Sequence, residues 1–282
     1  MSLRGTPFQR LRRITTRHLV AITASLIFVY PVVWILMAAI KPDIEIYRQP
    51  LRLFPSTADF TGFGLILQRW PIWTFLANSL VYSVGAVVIS LAFALFASYG
   101  LSRSDFKGKQ MTLVLILVVQ MIPALVTAIP IYLLMQRLGL YNSRIGMVIL
   151  YSSMRIPWGV WIMVGFLNQI PRALDEAAII DGCTRLGILR RIIFPLALPG
   201  LASAAIFTFV GTWNEFAIAS IILRNTNVLS LPVATLTIIQ ADPNDWRLVA
   251  AAATVNLLPI LAVFALLQRH IVAGLTRGAL KG

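Results

Sequence analysis

Six apolar stretches, each close to the length that crosses a bilayer, alternate with short polar segments along the chain. The first runs from about Leu19 to Ile40 and contains Pro31, a candidate kink. The second covers roughly Trp73 to Leu101, with Asn78 and Ser79 near its start. The third, roughly Met111 to Met135, is interrupted by Pro123 and Pro130. The fourth runs from about Ile145 to Leu167, the fifth from Leu196 to Leu223 and the sixth from Arg247 to Leu267. This pattern predicts an all-α, polytopic membrane helix bundle with six transmembrane helices. Between the first two spans, Pro42, Pro50, Pro55, Gly62, Gly64 and Pro71 mark an external loop, with Trp70 and Trp73 as interfacial anchors. Residues 224–246, ending in Asp242, Pro243, Asn244 and Asp245, read as a second outer loop.

Composition supports this reading. Of 282 residues, 59% are hydrophobic and 12% charged, about half the charged fraction of a soluble domain, which is roughly 25%. The net charge of +14 would suggest a nucleic-acid partner in a soluble protein. Here no aromatic–basic interleaving accompanies it, and basic loops on one membrane face explain it. Fifteen of the 24 Lys and Arg residues fall in the N-terminal arm, the 102–110 loop, the segment after the fourth span and the C-terminal tail. Eight lie on the other side, which places both termini in the cytoplasm. The first apolar stretch exceeds a signal-peptide core and is expected to stay as an uncleaved span. The boundaries are then a cytoplasmic arm at 1–18, a membrane domain at 19–268 and a cytoplasmic tail at 269–282. Cys183 is the single cysteine, so no disulfide forms within the chain. His18 and His270 flank the first and last spans as interfacial side chains.

The segment at about 168–195 breaks the apolar pattern. It carries Asp175, Glu176 and Asp181 with Arg172, Arg185, Arg190 and Arg191. Pro171 suits a first helical turn, and Asp175 and Glu176 sit where the helix dipole favours acids. Leu174, Ala177, Ala178 and Asp181 share one face by their spacing, and its two alanines would let another backbone approach. Gly182 permits a sharp reversal. Leu186, Leu189, Ile192 and Ile193 then predict a second amphipathic helix, stopped by Pro195. The same residues fit an interfacial loop packed on its own bundle, and both readings stand at this point.

No His-Glu-x-x-His, Gly-x-Ser-x-Gly or phosphate-cradling glycine motif occurs, and the chain is expected not to be an enzyme. Arg155 and Glu215 are ionisable groups inside spans, where charge is costly and tends to face a cavity. With Gln120, Trp158 and Asn214 they are candidates for a substrate pathway. They equally suit structural roles: Arg155 pairing with Glu215 or with carbonyls freed by Pro157, and Asn214 bonding between helices.

Glu176-Ala177-Ala178, then Gly182, then Ile192-x-Phe194-Pro195 resembles the EAA loop of bacterial ABC importer permeases; Phe194 stands where that family usually has Leu. Asn78-Ser79, Trp213-Asn214-Glu215-Phe216 and the ending Gly274-Leu275-Thr276-x-Gly278-Ala279-x-Lys281-Gly282 are similar to the carbohydrate branch, which includes the second membrane subunit of the maltose importer. The resemblance implies a type I ABC importer permease fold in the bacterial inner membrane. It implies that Glu176, Ala177, Ala178, Asp181 and Gly182 couple to an ATPase, with Glu176 pairing to a basic group there. It implies that Lys281 and Gly282 lie near the ATPase interface. The implied partners are a second permease subunit, two ATPase subunits and an extracytoplasmic sugar-binding protein, within membrane lipid. No cofactor belongs to this chain; ATP and Mg would be held by the ATPase. The implied cargo is a di- or oligosaccharide such as a maltose- or trehalose-type α-glucoside. Glycerol 3-phosphate or a polyol, and a stand-alone membrane carrier, are the alternatives.

Overall fold

The computed structural model describes the backbone of residues 7–47 and 52–279, and the side chains of residues 15–47 and 52–266. The described elements are helical throughout: α1 (Pro7–Ala38), α2 (Asp43–Ile46), α3 (Thr61–Arg69), α4 (Ile72–Arg103), α5 (Lys109–Gln120), α6 (Ala124–Arg137), α7 (Arg144–Leu167), α8 (Ala173–Ile180), α9 (Arg185–Ile188), a π-turn (Leu189–Ile193), α10 (Phe194–Trp213), α11 (Ala217–Ile222), a 3₁₀ turn (Thr226–Val228), α12 (Leu231–Ala241) and α13 (Trp246–Ala279). Five described helical runs are long and apolar enough to cross a membrane. The pair α5–α6, bent by 90°, makes a sixth when taken as one broken span. Pro123 begins the new direction in an extended conformation; it cannot donate a backbone hydrogen bond and restricts Ile122 before it. Pro130 lies inside α6 without ending it.

The chain divides into two compact units. The first comprises residues 1–70 with 238–255. There Arg247 forms ion pairs with Asp245 at 3.1 Å and Asp43 at 3.5 Å. Lys41 lies 4.7 Å over the Trp34 ring and donates to the Arg52 carbonyl. The most apolar part of α1 buries nothing within the chain, as a lipid-facing helix would.

The second unit, residues 71–237 with 256–282, is built on α4 and α7. Along α4 the buried positions Ser79, Ser83, Ala86, Ser90 and Ala94 recur at steps of three and four. Such a stripe of small residues lets helix backbones approach closely in lipid, where packing rather than water release drives association. On α7, Gly159 answers it: a Cβ there would stand 3.0 Å from the Ala94 Cβ. Helix α10 crosses both, and Gly200 makes room for the Phe166 ring, which a Cβ would meet at 2.5 Å.

Three sequence expectations need correction. Pro195 does not stop a helix: Arg185 to Trp213 runs on as one 29-residue helical span. The π-turn closes with the Phe194 N–H on the Leu189 carbonyl, and Pro195, without an N–H, sits in the first turn of α10. The fifth span ends at Trp213, ten residues before the expected Leu223. Residues 224–246 are not an open loop, because Leu231–Ala241 is helical and buries Leu231, Ala234 and Ile238 on one face. The sixth apolar stretch matches the candidate span Trp246–Leu266, and its helix runs on to Ala279.

Replacing Gly200 by Leu is expected to overpack the Phe166 contact and cost about 1–3 kcal/mol, seen as a lowered Tm in detergent. Gly165→Leu, where a Cβ meets nothing within 4 Å, is the matched control and should leave Tm almost unchanged.

Candidate functional site

The segment joining α7 to α10 folds as the short helix α8, a glycine reversal and the helical turn α9. Asp181 caps α8, Gly182 adopts φ +80°, and the Gly182 and Cys183 amides donate to the Ile179 and Ala178 carbonyls at 3.0 and 2.9 Å. This is a Schellman ending, and Cys183 packs on the apolar cluster to which Ala178 belongs. Thr184 then caps α9, accepting from the Gly187 amide at 3.2 Å.

The face that α8 buries differs from the one its spacing suggested. Asp175 and Ala178 are buried; Glu176, Ala177, Ile179 and Ile180 are exposed, Ile180 at 86%. The two alanines therefore divide. Ala178 belongs to the apolar cluster of the chain's own core that also holds Ile188, Leu189 and Ile193, while Ala177 stays open. Asp181 and Gly182 are exposed at the reversal. The Glu176 carboxylate makes no hydrogen bond or ion pair among the described residues. Lys281 and Gly282 lie outside the described residues.

Asp175 is held by groups that sequence reasoning did not connect to it. Its Oδ2 lies 3.0 Å from Arg103 Nε, and its Oδ1 accepts from the Tyr99 hydroxyl at 2.9 Å. The Arg103–Asp175 contact is an ion pair rather than an aligned hydrogen bond, and Arg103 Nη2 has no described partner. Nη1 of Arg103 donates to the Leu167 carbonyl at 3.2 Å. Both charges suit their helices, a cation in the last turn of α4 and an acid in the first turn of α8. With side chains 9% and 10% exposed, loss of either partner would strand a buried charge, at a cost of about 3–5 kcal/mol.

Two further ties join the same elements. Ser102 donates to Asn168 Oδ1 at 2.8 Å. Arg172 reaches Asp105 at 2.6 Å and the Ser102 carbonyl at 3.0 Å. The Arg172 hydrogen bond, then its charge, hold the Asp105 carboxyl down to about 2. That lies below its unfolded value, so any contribution from this exposed tie is complete near neutral pH and fades only as pH falls through about 2.

The candidate pathway residues gather partly at a second place, the break between α10 and α11. The Glu215 carboxylate accepts from the Ile218 and Ala219 amides at 2.8 and 3.0 Å and from the Tyr151 hydroxyl at 2.8 Å. It thus satisfies the free amides that begin α11. Arg155 donates to the Gly211 carbonyl in the last turn of α10, where cations complement free carbonyls. A Cβ on Gly211 would meet that guanidinium at 2.9 Å. Arg155 and Glu215 form no direct ion pair, and Asn214 turns back on the Val210 carbonyl of its own helix. Trp158, one turn from Arg155, stacks on Trp161 at 5.9 Å. Gln120 is exposed at the α5–α6 bend and is not brought into this group.

The loop thus presents an open acid beside exposed apolar side chains at one end of a bundle of membrane-length helices. Comparison with known proteins assigns the family. Residues 90–277 match the family described as binding-protein-dependent transport system inner membrane component, and the chain belongs to that family. It is 35% identical to the diacetylchitobiose uptake system permease protein DasC of Streptomyces coelicolor over 93% of this chain and 96% of that one. It is 31% identical to the sulfoquinovosyl glycerol transport system permease protein SmoH of Agrobacterium fabrum, over 93% of each. Among solved structures, a chain of a bacterial ABC transporter involved in import of the acidic polysaccharide alginate superposes with a TM-score of 0.79 at 26% identity, covering 96% of this chain and all of that one. The protein is therefore an inner-membrane transport component with the fold of ABC importer permeases.

Gly182→Ala is expected to destabilise the loop, since the left-handed conformation costs a side chain roughly 1–2 kcal/mol. Faster hydrogen exchange at the Cys183 amide would report it, and Gly182→Asn should recover part of the protection because Asn tolerates this region. Glu215→Ala removes the α11 cap and is expected to cost about 1–2 kcal/mol, measured as a lowered Tm in detergent.

Proposed function

We propose that this chain is a permease subunit of an ATP-driven importer for a di- or oligosaccharide, and that α8 is its docking point for an ATPase subunit. The observation that carries this is the split of α8 into two faces. Asp175 and Ala178 fix it to the bundle, while Glu176, Ala177, Ile179 and Ile180 remain open on a helix ended by Gly182. An open acid beside small and apolar side chains suits a cleft with a basic group and apolar walls. The saccharide class is supported by the relatives, whose names refer to diacetylchitobiose, sulfoquinovosyl glycerol and alginate transport.

In this reading both termini and α8 face the cytoplasm, in keeping with the excess of Lys and Arg on that side. A second permease subunit completes the pathway, two ATPase subunits bind and hydrolyse ATP with Mg, and an extracytoplasmic binding protein delivers the sugar. The task of this chain is mechanical. Closure of the ATPases moves α8, and the bundle passes between two arrangements that each expose one side. A partner shifts such an equilibrium only through a difference in its interaction with the two arrangements. The polar break at Arg155, Asn214 and Glu215 is the proposed wall of the pathway, its charges already matched to helix ends and its remaining amide and aromatic surface available to hydroxyl-rich cargo.

The test is uptake by vesicles containing the complete complex, ATP and the cognate binding protein, with a panel of labelled disaccharides. Glu176→Ala and Ile180→Asp are each expected to lower ATP-dependent uptake at least tenfold while the subunit still inserts in the membrane. Wild-type uptake by both variants at matched expression would remove the docking role. Absence of ATP-dependent uptake by the wild-type complex with every sugar would remove the saccharide reading.

A further inference from the structure

The coupling loop is tied to one helix in particular. Among the described residues, the side-chain hydrogen bonds and ion pairs that tie residues 168–175 to another helix run to the end of α4 or the residues just after it; the one other, from Gln169 to the Gly165 carbonyl at 3.2 Å, turns back on α7, from which the loop itself continues. Tyr99 and Arg103 hold Asp175, Ser102 holds Asn168, and Asp105 and the Ser102 carbonyl hold Arg172. Toward α9 and α10 the loop has a different connection. It passes through the Gly182 reversal, and Ala178 shares an apolar cluster with Ile188, Leu189 and Ile193, as well as with Leu95 and Leu167, without a polar side-chain contact from α8 to α9 or α10 among the described residues. Apolar packing of this kind has no direction and allows sliding, whereas an ion pair and a hydrogen bond converging on one carboxylate fix both position and angle.

We infer that Arg103 and Asp175, with Tyr99, act as positioning residues that make α4 the receiver of the loop's displacement: α8 and the end of α4 move as one body, and α9–α10 shift relative to them. This inference rests on the proposed docking role of α8. It adds which helix takes up the motion and through which side chains. The buried location matters, because water cannot replace either partner when the loop is pulled. So does the lack of an alternative partner. Arg103 Nη2 is buried without a described partner, so Asp175 is the one acid that compensates this guanidinium among the described residues.

The experiment uses the complete complex in vesicles, in a Cys183→Ser background. Asp175→Asn keeps the size of the side chain and its acceptor for Tyr99 but removes the charge. The expected result is a fall of at least tenfold in sugar imported per ATP hydrolysed, with the complex still assembled. The exchanged pair Arg103→Asp with Asp175→Arg is expected to recover at least part of that ratio. A merely structural role would lower yield and Tm and leave the ratio unmoved in the complex that survives, and that outcome overturns the inference. A second measurement does not depend on those variants folding well. Ser102→Cys with Asn168→Cys, joined by a short thiol crosslinker, should leave uptake within about twofold of the uncrosslinked protein, because the joined parts already move together. Loss of uptake on crosslinking, reversed by cleaving the linker, shows that the loop slides along α4 and also overturns the inference. Failure of the docking role itself looks different: Glu176→Ala would then transport normally while wild-type coupling remained intact.

Discussion

A single buried carboxylate, that of Asp175, decides how the polar loop is attached to the apolar bundle. Removing a charge from water is unfavourable unless an opposite charge and hydrogen-bond donors replace the lost solvation. Arg103 and Tyr99 supply that replacement, and both stand in the last turns of α4. The loop can therefore dock in one register only, with Asp175 and Ala178 inward. The outward face is then fixed by the geometry of a helix: Glu176, Ala177, Ile179 and Ile180 must point away. The exposed surface of α8 is in this sense a consequence of an interaction within the chain.

The opposite end of α4 is held in a comparable way. Asn78 donates to the Asn227 and Leu229 carbonyls at 2.9 and 3.0 Å, Tyr82 to the Val228 carbonyl at 2.6 Å, and the Leu231 amide to Ser79 at 2.7 Å. Arg144, at the start of α7, bonds both Asn78 and the Asn227 carbonyl. Between these polar ends, α4 and α7 meet through small side chains at close range. Small-residue packing leaves little room for rotamer change, and polar ends resist translation. The pair is thus suited to transmit displacement along its length rather than absorb it.

What could be read in the sequence follows from how strongly each feature constrains the chain. Spans two and four were placed within two residues because long apolar runs have few alternatives in a membrane protein. Gly182 was legible because a helix reversal needs positive φ, which glycine alone adopts without strain. The inward face of α8 was not, because apolar spacing favours burying Leu174 over Asp175. The signal that could have found it was an unmatched arginine, Arg103, at the end of the preceding polar turn. Pro195 misled because a proline usually ends a helix, and here the widened π-turn before it lets the helix run on. Leu231–Ala241 escaped notice because eleven residues are too few to cross a bilayer and polar neighbours on both sides disguised them.

The charges inside the spans show the same economy of means. Glu215, and Arg155 reaching across from α7, meet where α10 ends and α11 begins, a point where backbone groups lack helical partners. A break in a helix within hydrocarbon is tolerated only if the freed amides and carbonyls are met by protein groups or a wet cavity. Glu215 meets the amides and Arg155 a carbonyl, so the two residues remove the main objection to breaking the helix there. They do so without a direct ion pair, each bound to the opposite partial charge of a helix end. Neutralising either one would expose backbone polarity at that depth. Their presence is therefore explained first by the break, and the break in turn leaves a short polar wall, flanked by Trp158 and Asn214, in an otherwise apolar bundle. A path for hydroxyl-rich cargo needs such an interruption, since an unbroken apolar helix offers no hydrogen bonds to replace those the cargo loses on leaving water.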